Sequence, residues 1–289
     1  MLNQEPNNAF CLVCQKPLAI LYTKTRRGFR VLWCKNCNFA RREKIRSKDK
    51  LAKIYQGDYL KFLESGKVGG IKKFKSAEER FAEKNKFLEV AQIKKIIAKY
   101  SNKKLFEVGF GMGEFLEFFK KAGFELEGCD LSEQCVAFVK KKFEQKQGFE
   151  LGNFEDKVLP CDYYSVVIIW SVIEHFNNPL EILEKTFKVL QPGGMLLMCG
   201  ANFNSWLRKQ YGPMWPLFSR GHFYFFSILA LKKILKKNGF KKIAFYHPKN
   251  YKFLSRPNLL KRTYYRLKTF ISRGSLIQRS PKFFLVAQK

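Results

Sequence analysis

Residues 105–113 read Leu-Phe-Glu-Val-Gly-Phe-Gly-Met-Gly, and Asp130 follows seventeen residues after Gly113, within Gly-Cys-Asp-Leu-Ser. An apolar strand that runs into three alternating glycines and then a helix, from Glu114 onward, has few architectures open to it. A second strand, over residues 124–129, ends in the acid. Glycines at 109, 111 and 113 let backbone approach a ligand without a side chain in the way. An acid at the carboxyl end of the neighbouring strand accepts bonds from two ribose hydroxyls. The pattern predicts a doubly wound α/β sheet that holds a nucleoside.

The spacing narrows the nucleoside. A dinucleotide fingerprint needs G-x-G-x-x-G, and here Glu114 occupies the last position. The order present is E-x-G-x-G-x-G, led by Glu107. Asn153 follows in an acidic loop, Gly152-Asn153-Phe154-Glu155-Asp156, after a short third strand. Residues 163–170 then read as a buried strand with Val166, Val167, Ile168 and Ile169 at its centre. A helix predicted to end at Pro192-Gly193-Gly194 precedes an apolar strand over residues 195–199. In this order the features resemble the class I S-adenosylmethionine (SAM) methyltransferases. That resemblance implies a Rossmann-like seven-stranded sheet. It implies a cofactor set of Glu107, Gly109, Gly111, Gly113, Asp130, Asn153, Phe154 and Trp170.

The N-terminus carries an independent signal. Cys11-x-x-Cys14 and Cys34-x-x-Cys37 are nineteen residues apart. Two such knuckles bring four thiolates into tetrahedral reach, which suits a structural zinc ion. Residues 18–22 and 29–33 alternate like a hairpin, with Gly28 near its turn, so the outline is a zinc ribbon. Disulfides fit less well, because residues 1–10 are polar and read as no secretory signal. A redox Cys-x-x-Cys belongs at a helix start rather than twice in a hairpin. Cys129, Cys135, Cys161 and Cys199 stand singly and read as small core residues.

Length allows one large core and a small module: residues 1–45 as the ribbon, 46–100 as a basic helical connector, and 101–289 as the α/β domain with an insertion at 249–281. Ser76 and Glu79 read as a capping box in the connector. No apolar run is long enough to span a bilayer, which predicts a cytoplasmic protein. The formal net charge is +31, and its distribution is uneven: no Asp or Glu lies beyond Glu184, whereas 22 Lys and Arg do. In a doubly wound methyltransferase the second half shapes the substrate side, so this field would draw an anionic acceptor, nucleic acid or an anionic membrane. AT-rich base composition is the alternative source of this imbalance; it explains the lysines well and the missing acids less well.

The whole layout resembles a bacterial group of class I methyltransferases with an N-terminal zinc ribbon. The resemblance runs through Ile54-Tyr55-Gln56-Gly57-Asp58-Tyr59, Trp170-Ser171-Val172-Ile173-Glu174-His175-Phe176-Asn177-Asn178-Pro179, Asn202 to Trp206, Trp215-Pro216 and Gly221-His222-Phe223-Tyr224-Phe225-Phe226-Ser227. The group more often has Asp where Ser171 and Asn153 stand, and Glu where Gly221 stands. It implies SAM-dependent transfer to a small-molecule or glycan-type acceptor, at oxygen or nitrogen.

A base is required only for a hydroxyl or a protonated amine, and His175 and His222 are the candidates. Trp206, Tyr211, Trp215 and Phe218 either wall an acceptor or cover the sheet. Neither a nucleobase amino-methyltransferase turn nor a Pro-Cys nucleophile at the carboxyl end of the fourth strand is present; Pro160-Cys161 precedes that strand. The alternatives are a zinc-ribbon RNA methyltransferase that grips phosphate, and a non-catalytic SAM-binding protein. Residues 257–274 read as a basic amphipathic helix. It either packs on its own domain or lies at the inner membrane surface, where the acceptor would be lipid-linked.

Overall fold

The computed structural model describes residues 10–45, 67–68, 71–72, 97–246 and 282–289. Three strands open the chain: β1 (Ala19–Tyr22), β2 (Val31–Cys34) and β3 (Phe39–Arg42). They pair antiparallel in that order, and Gly28 turns the first hairpin in left-handed backbone. Two two-residue strands, β4 (Lys67–Val68) and β5 (Ile71–Lys72), pair antiparallel inside the segment expected to be helical. The rest of that connector, including the Ser76 cap, lies outside the described residues, as do the 249–281 insertion and its amphipathic helix.

The large sheet follows. Its strands are β6 (Lys104–Val108), β7 (Glu125–Asp130), β8 (Phe149–Leu151), β9 (Tyr164–Trp170), β10 (Leu190–Ala201), β12 (Lys241–Tyr246) and β13 (Lys282–Gln288). The order across the sheet is β12-β13-β10-β9-β6-β7-β8, with β13 antiparallel to both of its neighbours. The chain winds outward from β6 to β8 and then returns to the other side of β6 as β9. The switch point therefore lies between β6 and β9, where open α/β sheets hold their ligands.

Strand β9 shows why the sheet forms. Val166, Val167, Ile168 and Ile169 are fully buried. A parallel strand covered on both faces reads as a continuous β-branched run. Each such side chain contributes roughly 1.5–3 kcal/mol on burial. Helices α1 (Glu114–Lys121) and α2 (Glu133–Phe143) cover one face, through Phe115, Leu116, Phe119, Val139 and Phe143. Helices α3 (Pro179–Val189) and α5 (Ile228–Lys237) cover the other, through Ile182, Leu183, Leu231, Ile234 and Leu235. A short helix α4 (Trp206–Tyr211) leads to a third cluster, in which Trp215 and Phe218 are fully buried with Phe203 and Phe225. Those two aromatics are therefore core, while Trp206 and Tyr211 pack at its edge.

Two differences from the sequence-based expectation have local causes. Helix α3 ends at Val189, and Pro192-Gly193-Gly194 lie within β10, where the pairing with β9 slips between Leu190 and Met195. The two glycines let the strand bulge before its apolar run locks into register. Cys161 is exposed rather than core, because it sits in the turn ahead of β9; Cys129, Cys135 and Cys199 are buried as expected.

The N-terminal strands do not stand apart. Strand β11 (Tyr224–Phe225) leaves the large domain and pairs antiparallel with β3, giving the order β1-β2-β3-β11. Cys11, Cys34 and Cys37 share one continuous core with α3 and α5.

Candidate cofactor and acceptor site

Between β6 and α1 the loop holds Gly109, Gly111 and Gly113, all with positive φ (68°, 56° and 66°). L side chains rarely adopt that region, and a Cβ on Gly109 would also lie 2.8 Å from Val172 of the loop after β9. Gly113 caps α1 in left-handed backbone, with no side-chain bond. Asp130 ends β7 beside this loop. Its Oδ2 accepts from the Gly111 amide and its Oδ1 from the Ser132 amide, each at 2.9 Å. Ser132 is fixed in turn as the cap of α2. The carboxylate keeps lone-pair capacity for a hydroxyl. Burial pushes the Asp130 carboxyl above its ordinary range, against the pull of the Gly111, Ser132 and Leu131 amides. A glycine cradle beside a clamped, desolvated carboxylate fits the ribose and methionine parts of SAM.

The other expected cofactor residues surround this centre in different ways. Glu107 is buried in β6, between Gly128 of β7 and Ile168 of β9. Asn153 donates to Glu155 Oε2 at 3.0 Å at the start of a 3₁₀ turn. The Phe154 ring is buried against Phe106 at 5.6 Å, so it packs under the sheet. The Trp170 ring lies between Phe115, at 4.5 Å, and Phe284, at 5.5 Å.

The loop after β9 builds the second half of the site. Ser171 sits at φ 56°, an uncommon backbone for a non-glycine residue, and its amide donates to the Cys199 carbonyl at 2.8 Å. A 3₁₀ turn, Ile173–His175, then brings His175 edge-on to His222, with ring centroids 4.7 Å apart. Glu174 completes the group: one ligand atom from each of the three residues lies within 4.8 Å of the others. Glu174 stands in the motif quoted for the resemblance but had no role assigned from sequence. Its only signal was an acid wedged between Ile173 and His175 directly after a buried strand.

Environment sets the chemistry of this trio. Burial drives the His175 imidazole down to about 4, although the Gly221 and Ser171 carbonyls favour its charged form. Burial and the neighbouring His175 hold His222 well below the ordinary histidine range. Burial lifts Glu174 to about 7, opposed by its own backbone and by Lys282. His222 Nδ1 lies 2.8 Å from the Leu217 carbonyl. That nitrogen must therefore carry the proton, which leaves Nε2 with the lone pair. Both imidazoles are neutral near pH 7 and can accept a proton.

The four knuckle cysteines also converge, with their sulfurs within 4.8 Å of one another. Cys14 and Cys34 Sγ are 3.5 Å apart. Burial raises the Cys11 and Cys37 thiols, Cys37 to about 12. At Cys14 burial is outweighed by bonds from Asn36, the Lys16 backbone, Cys37 and Cys34, which bring it down to about 6. Four thiols this close and this buried suit one soft cation of tetrahedral preference.

A methyltransferase-domain family profile matches residues 78–244. The ubiquinone biosynthesis O-methyltransferase of Hydrogenovibrio crunogenus is 26% identical over 145 residues, covering 49% of this chain and 55% of that protein. The enzyme of the same name from Coxiella burnetii is 25% identical over 105 residues, 35% of this chain and 45% of its own length. The chain thus spans about half the length of the curated relatives it matches. A SAM-dependent methyltransferase structure from Archaeoglobus fulgidus superposes with a TM-score of 0.51 at 20% identity, over 73% of this chain and 97% of that one, which shows a shared fold. The chain belongs to the methyltransferase-domain family, and its domain is of the class I SAM-dependent kind.

Proposed function

We propose that this member of the methyltransferase-domain family transfers the methyl group of SAM to an oxygen or nitrogen of a small-molecule or glycan-type acceptor. A structural zinc ion in its N-terminal ribbon completes the reading, as in the zinc-ribbon group it resembles. The observation that carries it is Asp130, clamped by the Gly111 and Ser132 amides at the switch point of the sheet. Gly109, Gly111 and Gly113 admit the cofactor backbone-close, Asp130 accepts from its ribose, and Glu107, Asn153 and Trp170 shape the walls around it, with the buried Phe154 ring supporting Asn153 from the core. Cys11, Cys14, Cys34 and Cys37 hold the zinc. The division into ribbon, connector and catalytic domain near residues 45 and 100 belongs to the same reading.

Bound SAM supplies an electrophilic methyl, so the protein's task is to orient the acceptor and keep water out. His222 Nε2 accepts the proton of an acceptor hydroxyl, while the Leu217 carbonyl holds its tautomer. His175 packs against that ring and fixes its angle. The O-methyltransferase names of the curated relatives favour oxygen as the methylated atom. Among the described residues no helix is long and apolar enough to cross a membrane. An anionic acceptor is suggested by the acid-free sequence after Glu184, and a lipid-linked one by the basic amphipathic pattern of residues 257–274. Incubation with methyl-labelled SAM and a panel of hydroxylated and amino acceptors, free and lipid-linked, tests the reading. Label should move to a hydroxyl compound, and the transfer should be lost in His222→Ala. Transfer that survives this substitution unchanged would remove His222 as base.

A further inference from the structure

We infer that the N-terminal four-cysteine module is a positioning device for the acceptor side: through the β3–β11 ladder it holds His222 against His175, and it leaves the SAM cradle alone. The inference rests on the zinc reading proposed above and deepens it.

The connections are short and continuous. In the ladder, Arg41 pairs with Tyr224 and Ala40 with Phe225. One step further the Arg42 amide donates to the Phe223 carbonyl at 2.8 Å, and the Phe223 amide donates to the Glu174 carbonyl at 2.8 Å. The Phe223 backbone therefore bridges the module's last strand to the turn that carries His175. His222 is its immediate neighbour.

Arg42 grips the segment on both sides of His222. Its Nη1 donates to the Arg220 carbonyl at 2.9 Å, and its guanidinium lies over the Phe29 ring at 4.2 Å and 5.8 Å from the Phe223 ring. The second knuckle holds the far end. The Cys37 carbonyl accepts from Ser227 Oγ at 2.9 Å, and Ser227 caps α5 by accepting from the Ala230 amide. Lys233 of α5 places Nζ 3.9 Å from Cys37 Sγ. Residues 220–227 thus hang between the module and the loop after β9. The cradle is fastened differently: Asp130 is held by Gly111 and Ser132, and the Gly109 amide donates to Cys129.

The physical consequence follows from the size of the module. Strands of four residues cannot hold a register by themselves, and a metal bound by four thiolates supplies the folding energy of such ribbons. Without the metal β3 loosens, and residues 220–227 lose one of their two supports. His222 then moves away from His175 and into water, while α1, α2 and the glycine loop keep their own contacts. Arg42 is a positioning residue in this arrangement, since it acts through the backbone on either side of His222.

The chain has three histidines, which makes the test direct. The full-length chain, labelled with ¹⁵N at histidine, is followed by NMR from pH 8 to pH 4, with signals assigned by single His→Gln substitutions. The groups facing His222 are His175, Glu174, Lys282 and the Leu217 carbonyl, and those facing His175 are His222, Glu174 and the Gly221 and Ser171 carbonyls. In the zinc-loaded protein the His175 and His222 rings should stay neutral to well below pH 6. Stripping the zinc with a chelator should shift both signals and move the His222 midpoint upward, toward the ordinary value near 6.5. Re-addition of zinc should restore them. SAM affinity, measured by calorimetry, should change less than about threefold, well under the roughly 1.4 kcal/mol of a tenfold effect.

Arg42→Ala provides a second route that does not require metal removal. It should keep its zinc and its SAM affinity and still displace the His222 signal. Histidine signals that ignore both zinc removal and Arg42→Ala would overturn the inference. So would a loss of SAM binding in Arg42→Ala equal to its effect on His222. A purified chain with no zinc by elemental analysis would instead overturn the zinc reading itself.

Discussion

The two halves of this site are built by opposite means. The centre of the proposed cofactor half is one continuous stretch: β6, the glycine loop, α1, β7 and the cap of α2 run from Lys104 to Ser132, and the bonds that hold Asp130 close within it. The proposed acceptor half is assembled from three distant places. Arg42 comes from the N-terminal module, Glu174 and His175 follow β9, and His222 precedes β11; the bond from Arg42 to the Arg220 carbonyl spans 178 residues. A contiguous cradle depends mainly on backbone conformation and one acid. An assembled one depends on every module that contributes to it.

That contrast yields predictions of decreasing size. Gly111→Val should abolish SAM binding, because a β-branched residue cannot hold φ 56° and its side chain would enter the cradle. Calorimetry should show no heat of binding even where the wild type saturates. Any measurable affinity near wild type would mean that the glycine loop is not the cofactor contact. Cys34→Ser should take the zinc content from about one ion per chain to none. Hydrogen exchange should then rise sharply in β1, β2 and β3 while β6 and β9 remain protected. Equal loosening of β9 would erase the distinction between the two halves.

Glu174→Gln gives a smaller effect with a definite sign. The folded-state pKa of Glu174 is raised from 4.5 to about 7. A raised carboxyl is best tolerated below its unfolded pKa, and the stability it allows is lost as pH rises through the folded pKa. The loss should therefore run from about pH 4.5 to pH 7 and be complete at pH 8, on the order of 3 kcal/mol. Glu174→Gln should melt several degrees above wild type at pH 8 and at a similar temperature at pH 4. A variant less stable than wild type at pH 8 would show that the ionised carboxylate is held by a partner. Smallest of all, Lys121→Ala breaks an exposed pair with Glu117 at 3.2 Å and should change stability by less than about 0.5 kcal/mol. A larger loss by denaturant titration would mean that α1 depends on its surface charges.

The same contrast explains what could be read from the sequence. The glycine spacing, Asp130 and the Val-Val-Ile-Ile run are local signals whose periods and conformations are set by neighbours in the chain, and the sheet follows from them. The cysteine knuckles were legible because ligand spacing is local as well. The partnership of β3 with β11 was not, since a two-residue strand has no periodicity to detect. Trp215 and Phe218 were ambiguous for a related reason: an aromatic that lines a site and one that fills a core look alike until the third cluster closes around them. Glu174 had no role assigned because its meaning comes from His222, forty-eight residues away in sequence and within 4.8 Å in space. Pro192-Gly193-Gly194 misled in the other direction, as a helix stop that proved to be a strand bulge.

The central claim is that Asp130, beside the glycine loop, is a principal hold on SAM. Calorimetric titration of SAM into the wild type and into Asp130→Ala, both zinc-loaded, tests it most directly. A buried hydroxyl bond to a charged acceptor contributes roughly 1.5–3 kcal/mol, so the variant should bind about 10- to 100-fold more weakly while its melting temperature falls little. Equal affinity in the two proteins would contradict the account.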